Sequence, residues 1–229
     1  MIRTVPETGS TNDDVAALAR QGAPEGLWLR AERQTGGRGR QGRGWVSPPG
    51  NLHASTLVRL LPGDPPAPSL ALVAAVALHE VVSAYAADGA VRIKWPNDLV
   101  AGGAKLAGIL LERTGDAVVI GFGVNLAHHP EGLDRPVASL ASLTGGAPDA
   151  AAFLEALADS FARWLGRWRS EGISPIRERW LAAAHPLGTA LTTPEGEGLF
   201  DGLDEDGALR LRLADRTSRV IHAGDVFLI

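Results

Sequence analysis

Cysteine is absent from the 229 residues, which excludes disulfides, cysteine-ligated zinc and a thiol nucleophile together. Long apolar runs are missing too. The longest, residues 70–78, stops at His79 and Glu80, far short of the ~20 residues that cross a bilayer, so it reads as a core helix with no membrane partner. The N-terminus lacks the apolar stretch of a secretory signal and soon reaches Pro6 and Glu7, so the expected location is the cytoplasm. There is no excess of positive charge. A formal net charge of −4 argues against wholesale nucleic-acid binding, although charge can be segregated locally. No G-x-x-x-x-G-K-S/T string is present, which excludes a P-loop, and neither an internal repeat nor a low-complexity tract is found. What remains is 45% hydrophobic and 21% charged, the balance of a folded chain with one core and a small appended module.

Ser10 or Thr11 can cap a helix to about residue 21, with Asp13 and Asp14 in its first turn and Gly22 as its stop. Leu27, Leu29 and Ala31 alternate with Trp28, Arg30 and Glu32 as a strand, and residues 52–59 form another. After a Pro-rich stretch, Ser69 is the expected cap of an apolar helix ending near Tyr85. Strand patterns follow at residues 91–95, 106–112 and 118–124. An amphipathic helix over residues 150–169 places Phe153, Leu157, Phe161, Trp164 and Trp168 on one face, with Gly172 as its stop. Ser174 then caps a helix with Pro175 at its first position. From Gly188 onward only short strand-like pieces occur, separated by Gly and Asp turns, which predicts a small β-barrel. The expected class is α+β, with a catalytic unit over residues 1–186 and a module over 187–229.

Three segments carry chemistry. Residues 33–45, from Arg33 to Trp45, hold four arginines and five glycines without an acid. Glycine lets backbone wrap a ligand and arginine offers forked donors to carboxylate or phosphate, so an anionic ligand is the natural reading. Gly37, Gly39 and Gly42 match G-x-G-x-x-G, but Trp45 and Pro48-Pro49-Gly50 follow where a dinucleotide-binding fold needs a helix. The second segment is Lys94-Trp95-Pro96-Asn97-Asp98, followed by Lys105. Asn97 and Asp98 read as a turn after the strand, and Lys105 opens the next strand, either solvated or aimed at a ligand near the mouth of the sheet. The third, Gly121-Phe122-Gly123-Val124-Asn125, ends a strand with glycines that suit either close backbone approach or a bulge. Adjacent His128 and His129 point apart and read as a loop pair, while His79 and His185 read as surface or capping residues. The six tryptophans are expected to serve the core, with Trp45 the exception because it adjoins the cationic loop.

Taken in order, Ser10-Thr11-Asn12, the Gln34 to Trp45 loop, Lys94-Trp95-Pro96-Asn97-Asp98-Leu99, Lys105-Leu106-Ala107-Gly108-Ile109-Leu110 and Gly123-Val124-Asn125 resemble the biotin protein ligases. The stretch Gly202-Leu203-Asp204-Glu205-Asp206-Gly207-Ala208-Leu209 resembles that family's C-terminal SH3-like barrel. The resemblance implies a mixed sheet flanked by helices, akin to a class II aminoacyl-tRNA synthetase core. It also implies ATP and biotin as substrates with Mg²⁺, a biotinyl-5′-adenylate intermediate and a biotin carboxyl carrier protein or domain as partner. A homodimer is also admitted.

Carried over by residue, the resemblance gives Ser10, Thr11, Asn12, Gln34, Gly37, Arg38, Gly39, Arg40 and Lys105 to biotin, with Lys105 and Arg40 catalytic. Arg43, Trp45, Asn97 and Asn125 go to ATP, and Asp98 to the metal. His53 stands where the family often has an aromatic residue. With the first motif at Ser10, no DNA-binding helix-turn-helix is expected and no DNA partner. The alternatives are a lipoate or octanoate protein ligase, whose pocket should be apolar throughout, and a non-catalytic RNA-binding protein that uses the Arg-Gly segment.

Overall fold

The computed structural model describes residues 1–228. Its centre is a seven-stranded sheet of β1 (Ile2–Thr8), β2 (Trp28–Gln34), β3 (Leu52–Arg59), β4 (Val91–Lys94), β5 (Asp98–Ala101), β6 (Ala104–Thr114) and β7 (Ala117–Val124) in the order β1-β2-β3-β7-β6-β5-β4. The first pair is parallel and the others antiparallel, so the sheet is mixed.

Helix α1 (Thr11–Arg20) covers one face, where Val15 and Ala19 pack on Leu29, Leu57 and Val119. Helices α2 (Leu70–Ser83), α4 (Ala150–Glu171) and α5 (Ser174–Ala183) cover the other, and the one-turn α3 (Leu140–Thr144) lies between β7 and α4. Because both faces are covered, β3 and β7 are buried along nearly their whole length. Strand β7 is accordingly almost wholly apolar instead of alternating, whereas β3 buries the polar His53, Ser55 and Thr56. Trp28, a core residue as expected although it alternates with the apolar positions of its strand, is 4% exposed and packs against Phe122 and Phe161 at centroid distances of 5.5 and 5.8 Å. Phe153, Leu157, Phe161, Trp164 and Trp168 of α4 are all buried as the periodicity requires.

Strands β8 (Ala190–Thr193), β9 (Gly196–Leu203), β10 (Leu209–Arg212), β11 (Ser218–Ile221) and β12 (Phe227–Leu228) form a second, antiparallel sheet ordered β11-β10-β9-β8-β12, the SH3-like part of the fold. Its apolar face is continuous with the main core through Leu191, Phe200, Leu209 and Val226. Trp180 meets Phe200 edge-on at 6.3 Å, and Trp95 Nε1 donates to the Gly207 carbonyl at 3.2 Å. These contacts fix the last strand, β12, beside the main sheet.

Several local expectations are corrected. Ser69 sits in a 3₁₀ turn with helical φ/ψ and does not cap α2; its hydroxyl instead accepts from Trp168 Nε1 at 2.8 Å. Ser174 lies inside α5, whose N-cap position is Ile173. His79 is 7% exposed, with Nε2 3.1 Å from the Val91 carbonyl oxygen, so it is a core residue and not a surface one. His185 is half-buried between α5 and β8. Ala104, one residue earlier than expected, opens the strand of Lys105. Asp98 begins a strand that the turn reading of Asn97-Asp98 did not include.

Candidate active site

A cavity of about 360 Å³ opens where the N-terminus of α1, strands β2, β6 and β7, the 38–45 loop and residues 225–228 converge. Its size suits a ligand of modest bulk. One end is neutral and polar, the other cationic.

At the neutral end Ser10 occupies the N-cap position of α1, yet its side chain makes no cap bond and lines the cavity. Thr11 donates its backbone N–H to Gln34 Oε1 at 2.8 Å, and its hydroxyl lies 2.7 Å from Ser55 Oγ. Ser55 donates to Asn12 Oδ1 at 2.6 Å, Asn12 Nδ2 donates to Glu112 at 2.7 Å, and Gln34 Nε2 donates to Ser47 at 3.0 Å. A chain of donors and acceptors, neutral where it lines the cavity and anchored behind it on the Glu112 carboxylate, is therefore held in place before any ligand arrives, which is what a buried uncharged polar ligand needs. Gly121 forms the floor: a Cβ there would collide with the Asn12 amide.

Trp45 divides the two ends. Its ring lies over the backbone of β6 and β7, where a Cβ on Gly123 would come within 2.5 Å of it and one on Gly108 within 3.3 Å. The glycines of these strands thus serve close approach of a side chain. Trp45 Nε1 is buried with no partner among the described residues, a donor that an occupant of the cavity can satisfy.

The cationic end is built around Lys105, whose Nζ donates to Asp98 Oδ1 at 2.6 Å and lies 5.7 Å from the Trp45 ring centroid. Burial pulls its ammonium below the ordinary lysine range. Asp98 opposes this by charge and hydrogen bond, while Arg135 and Arg43 add to the depression. Lys94 is lowered in the same way by burial, opposed by Asp98 and Asp225. Its Nζ sits 5.3 Å from the Phe227 ring centroid.

The arginine loop carries no acid of its own, but the fold supplies carboxylates to it. Arg38 makes two hydrogen bonds to Asp13, at 2.7 and 2.6 Å. Arg43 donates to Asp225 at 3.0 Å, and Arg40 to Asn97 and the Gly224 carbonyl, both at 3.3 Å. Burial works to raise the Asp225 carboxyl, but Arg43, Arg40 and Lys94 together hold it below the usual carboxylate range. The loop is therefore tied to α1 on one side and to the C-terminal module on the other.

Ser10, Thr11, Asn12, Gln34, Arg38, Gly39, Arg40, Arg43, Trp45, Asn97, Asp98 and Lys105 thus all line one cavity. Gly37 and Asn125 do not. Gly37 is packed behind the wall, where a Cβ would meet the Trp45 carbonyl at 2.6 Å. Asn125 is buried behind the wall and donates to the Ala138 carbonyl at 3.0 Å, tying the 126–139 segment to β6. His53 is also behind the wall, with Nε2 3.0 Å from the Pro48 carbonyl oxygen. Asp98, expected to hold a metal, accepts a hydrogen bond from Lys105 Nζ through Oδ1. No group of three or more His, Asp or Glu side chains is placed to hold an ion among the described residues.

Sequence reasoning missed Arg135, Asp225 and Phe227, which also line the cavity. Arg135 has no ion-pair partner among the described residues, although it faces both lysines. Its placement comes from a loop strapped to the backbone of Lys105, which donates to the Pro136 carbonyl at 2.9 Å and accepts from the Ala138 N–H at 3.0 Å.

Residues 6–125 match the biotin/lipoate A/B protein ligase family, and residues 189–229 the biotin protein ligase C terminal domain. A biotin–acetyl-CoA-carboxylase ligase of Paracoccus denitrificans is 41% identical over 96% of this chain and 97% of its own. A biotin protein ligase from Aquifex aeolicus, solved with biotin and ATP, is 24% identical with a TM-score of 0.88 over 100% of this chain and 99% of that one, a likeness of fold. The Leishmania major biotin protein ligase solved with biotinyl-5-AMP is 26% identical, with a TM-score of 0.70 over 97% of this chain and 98% of that one. The chain belongs to the biotin/lipoate A/B protein ligase family.

Proposed function

We propose that the chain condenses biotin with ATP to biotinyl-5′-adenylate and passes the acyl group to a lysine of a biotin carrier domain, that of acetyl-CoA carboxylase. The observation that carries this reading is the meeting, in one cavity, of a pre-assembled neutral polar cradle with a cationic wall. The cradle of Ser10, Thr11, Asn12 and Gln34 suits the ureido ring, an uncharged group that is costly to bury unpaired. A dithiolane acyl group has no use for it, which favours biotin over lipoate. The arginine loop finds its carboxylates on α1 and on the C-terminal module of the same chain, an arrangement for closing over a small anion and not for lying along RNA.

Biotin's carboxylate then points to the cationic end. Lys105, fixed by β6 and by Asp98, neutralises the carboxylate oxygen and the charge that grows at the α-phosphate during attack, a preorganised electrostatic contribution. Arg38, Gly39 and Arg40 fold over the acyl end. Arg43, Lys94, Asn97 and Arg135 face the polyphosphate, and Trp45 offers its ring and free N–H beside them. Mg²⁺ enters as the counter-ion of ATP. Asn125 acts from behind, holding the loop that presents Arg135.

Thermal unfolding with biotin, lipoate or octanoate tests the choice of acyl group. A ligand at one hundred times its dissociation constant adds about 2.7 kcal/mol, so biotin is expected to raise the Tm strongly while the other two leave it unchanged. A shift with lipoate alone would reverse the assignment.

A further inference from the structure

Among the 22 basic residues only two are lysines, Lys94 and Lys105, and the other twenty are arginines. Both lysines line the same cavity. The ε-amine of Lys105 is bound to Asp98 at 2.6 Å, and that of Lys94 sits over the Phe227 ring. The rest of the protein's positive charge is carried by guanidinium groups, which stay protonated and are poor nucleophiles.

This distribution matters for an enzyme that makes an acyl adenylate, and the inference rests on that reading of the site. The mixed anhydride reacts with any free amine. The nitrogen attacks the acyl carbon, the bond from that carbon to the phosphate oxygen breaks, AMP departs, and the nitrogen loses a proton to leave an amide. An exposed lysine near the mouth would compete with the carrier and accumulate label over many turnovers.

We infer that the protein is a non-acceptor for its own activated acyl group: its outer surface offers no lysine amine, and its only two lysine amines are enclosed in the cavity, one of them bound to a carboxylate. The single other amine of the chain is the α-amine of Met1, which donates to the Gly26 carbonyl at 3.3 Å. Selectivity for the carrier is then built into the surface as well as the pocket, since leaked adenylate finds acceptors only on other molecules.

The test uses the whole protein with biotin and ATP, no carrier, and serum albumin as a lysine-bearing bystander. Two variants replace exposed arginines outside the cavity, Arg33→Lys and Arg113→Lys. Intact mass and peptide mapping follow biotin on each chain. The expected result is label on albumin and on the new lysine of each variant, with the parent chain unlabelled or labelled only at its α-amine. Biotin on Lys94 or Lys105 of the parent chain would overturn the inference, as would unlabelled variants beside labelled albumin. AMP release distinguishes these failures from failure of the adenylate reading itself: without biotin-dependent AMP, the function and not the surface is in error.

Discussion

The ammonium of Lys105 and the carboxylate of Asp98 are joined at 2.6 Å across neighbouring strands, with side chains only 16% and 18% exposed. The pair explains why a lysine can be kept charged beneath a tryptophan ring, and why Asp98 serves the cation next to it.

Lys105→Ala is expected to lower biotinyl-adenylate synthesis by roughly two to three orders of magnitude, the scale for losing one preorganised donor. Transfer from pre-made adenylate should suffer much less. Because the change strands a half-enclosed Asp98 charge, stability should fall by about 1–3 kcal/mol, more than a solvated strand-end lysine would cost. Near-normal adenylation in the folded variant, measured as pyrophosphate exchange, would remove Lys105 from the reaction.

The alkaline limb of adenylation should break below the ordinary lysine value of 10.5, because burial lowers the Lys105 ammonium. The sign follows from the charged form being the active one. As pH rises through the folded-state value the ammonium is lost, while an unfolded lysine would keep its proton up to 10.5. Asp98→Asn removes the carboxylate that opposes the depression, so the break should move lower still. A pH–rate profile for kcat/KM reads both shifts, and an upward shift in the variant would contradict the pairing.

Most of this arrangement is legible in the sequence, but only where the chain speaks locally. The Arg33 to Trp45 loop and the Lys94 to Asp98 string announce themselves by composition and spacing, and α4 by its periodic Phe, Leu and Trp. Trp28 is legible as a core residue from its aromatic bulk and not from alternation, because β2 is buried on both faces at that point. Asp225, Arg135 and the β1 strand could not be read. Asp225 reaches Arg43 across 182 positions, and Arg135 is one exposed arginine before a proline, with nothing in its neighbours to mark it. Asn125 and Asp98 sit in legible motifs, but their contacts with Ala138 and Lys105 join segments that the local sequence does not connect.

The tether between Arg43 and Asp225 should restrain the arginine loop in the free protein. Asp225→Ala removes a partly exposed ion pair of up to about 1 kcal/mol, so the open population should rise by up to about fivefold. Limited trypsin cleavage after Arg40 and Arg43 reports it. Biotin with ATP should protect both chains, and equal cleavage of the two free chains would show that the C-terminal module does not hold the loop.

The two ends of the cavity should separate by mutation. Gly121→Ala pushes on the Asn12 amide and should weaken biotin binding by about fivefold to 150-fold, the range for losing a buried polar contact of about 1–3 kcal/mol. Arg135→Ala should leave biotin binding unchanged and raise the KM for ATP by about tenfold. Isothermal titration with biotin and initial rates against ATP distinguish them, and a loss of biotin affinity in the arginine variant would misplace that residue.

The most direct measurement combines the purified protein with biotin, ATP-Mg²⁺ and a biotin carrier domain, and follows the carrier by mass and the nucleotide by chromatography. One biotinyl group on a single carrier lysine, with AMP and pyrophosphate formed in equal amount, is the expected result. An unmodified carrier, or ADP and phosphate in place of AMP and pyrophosphate, would contradict it.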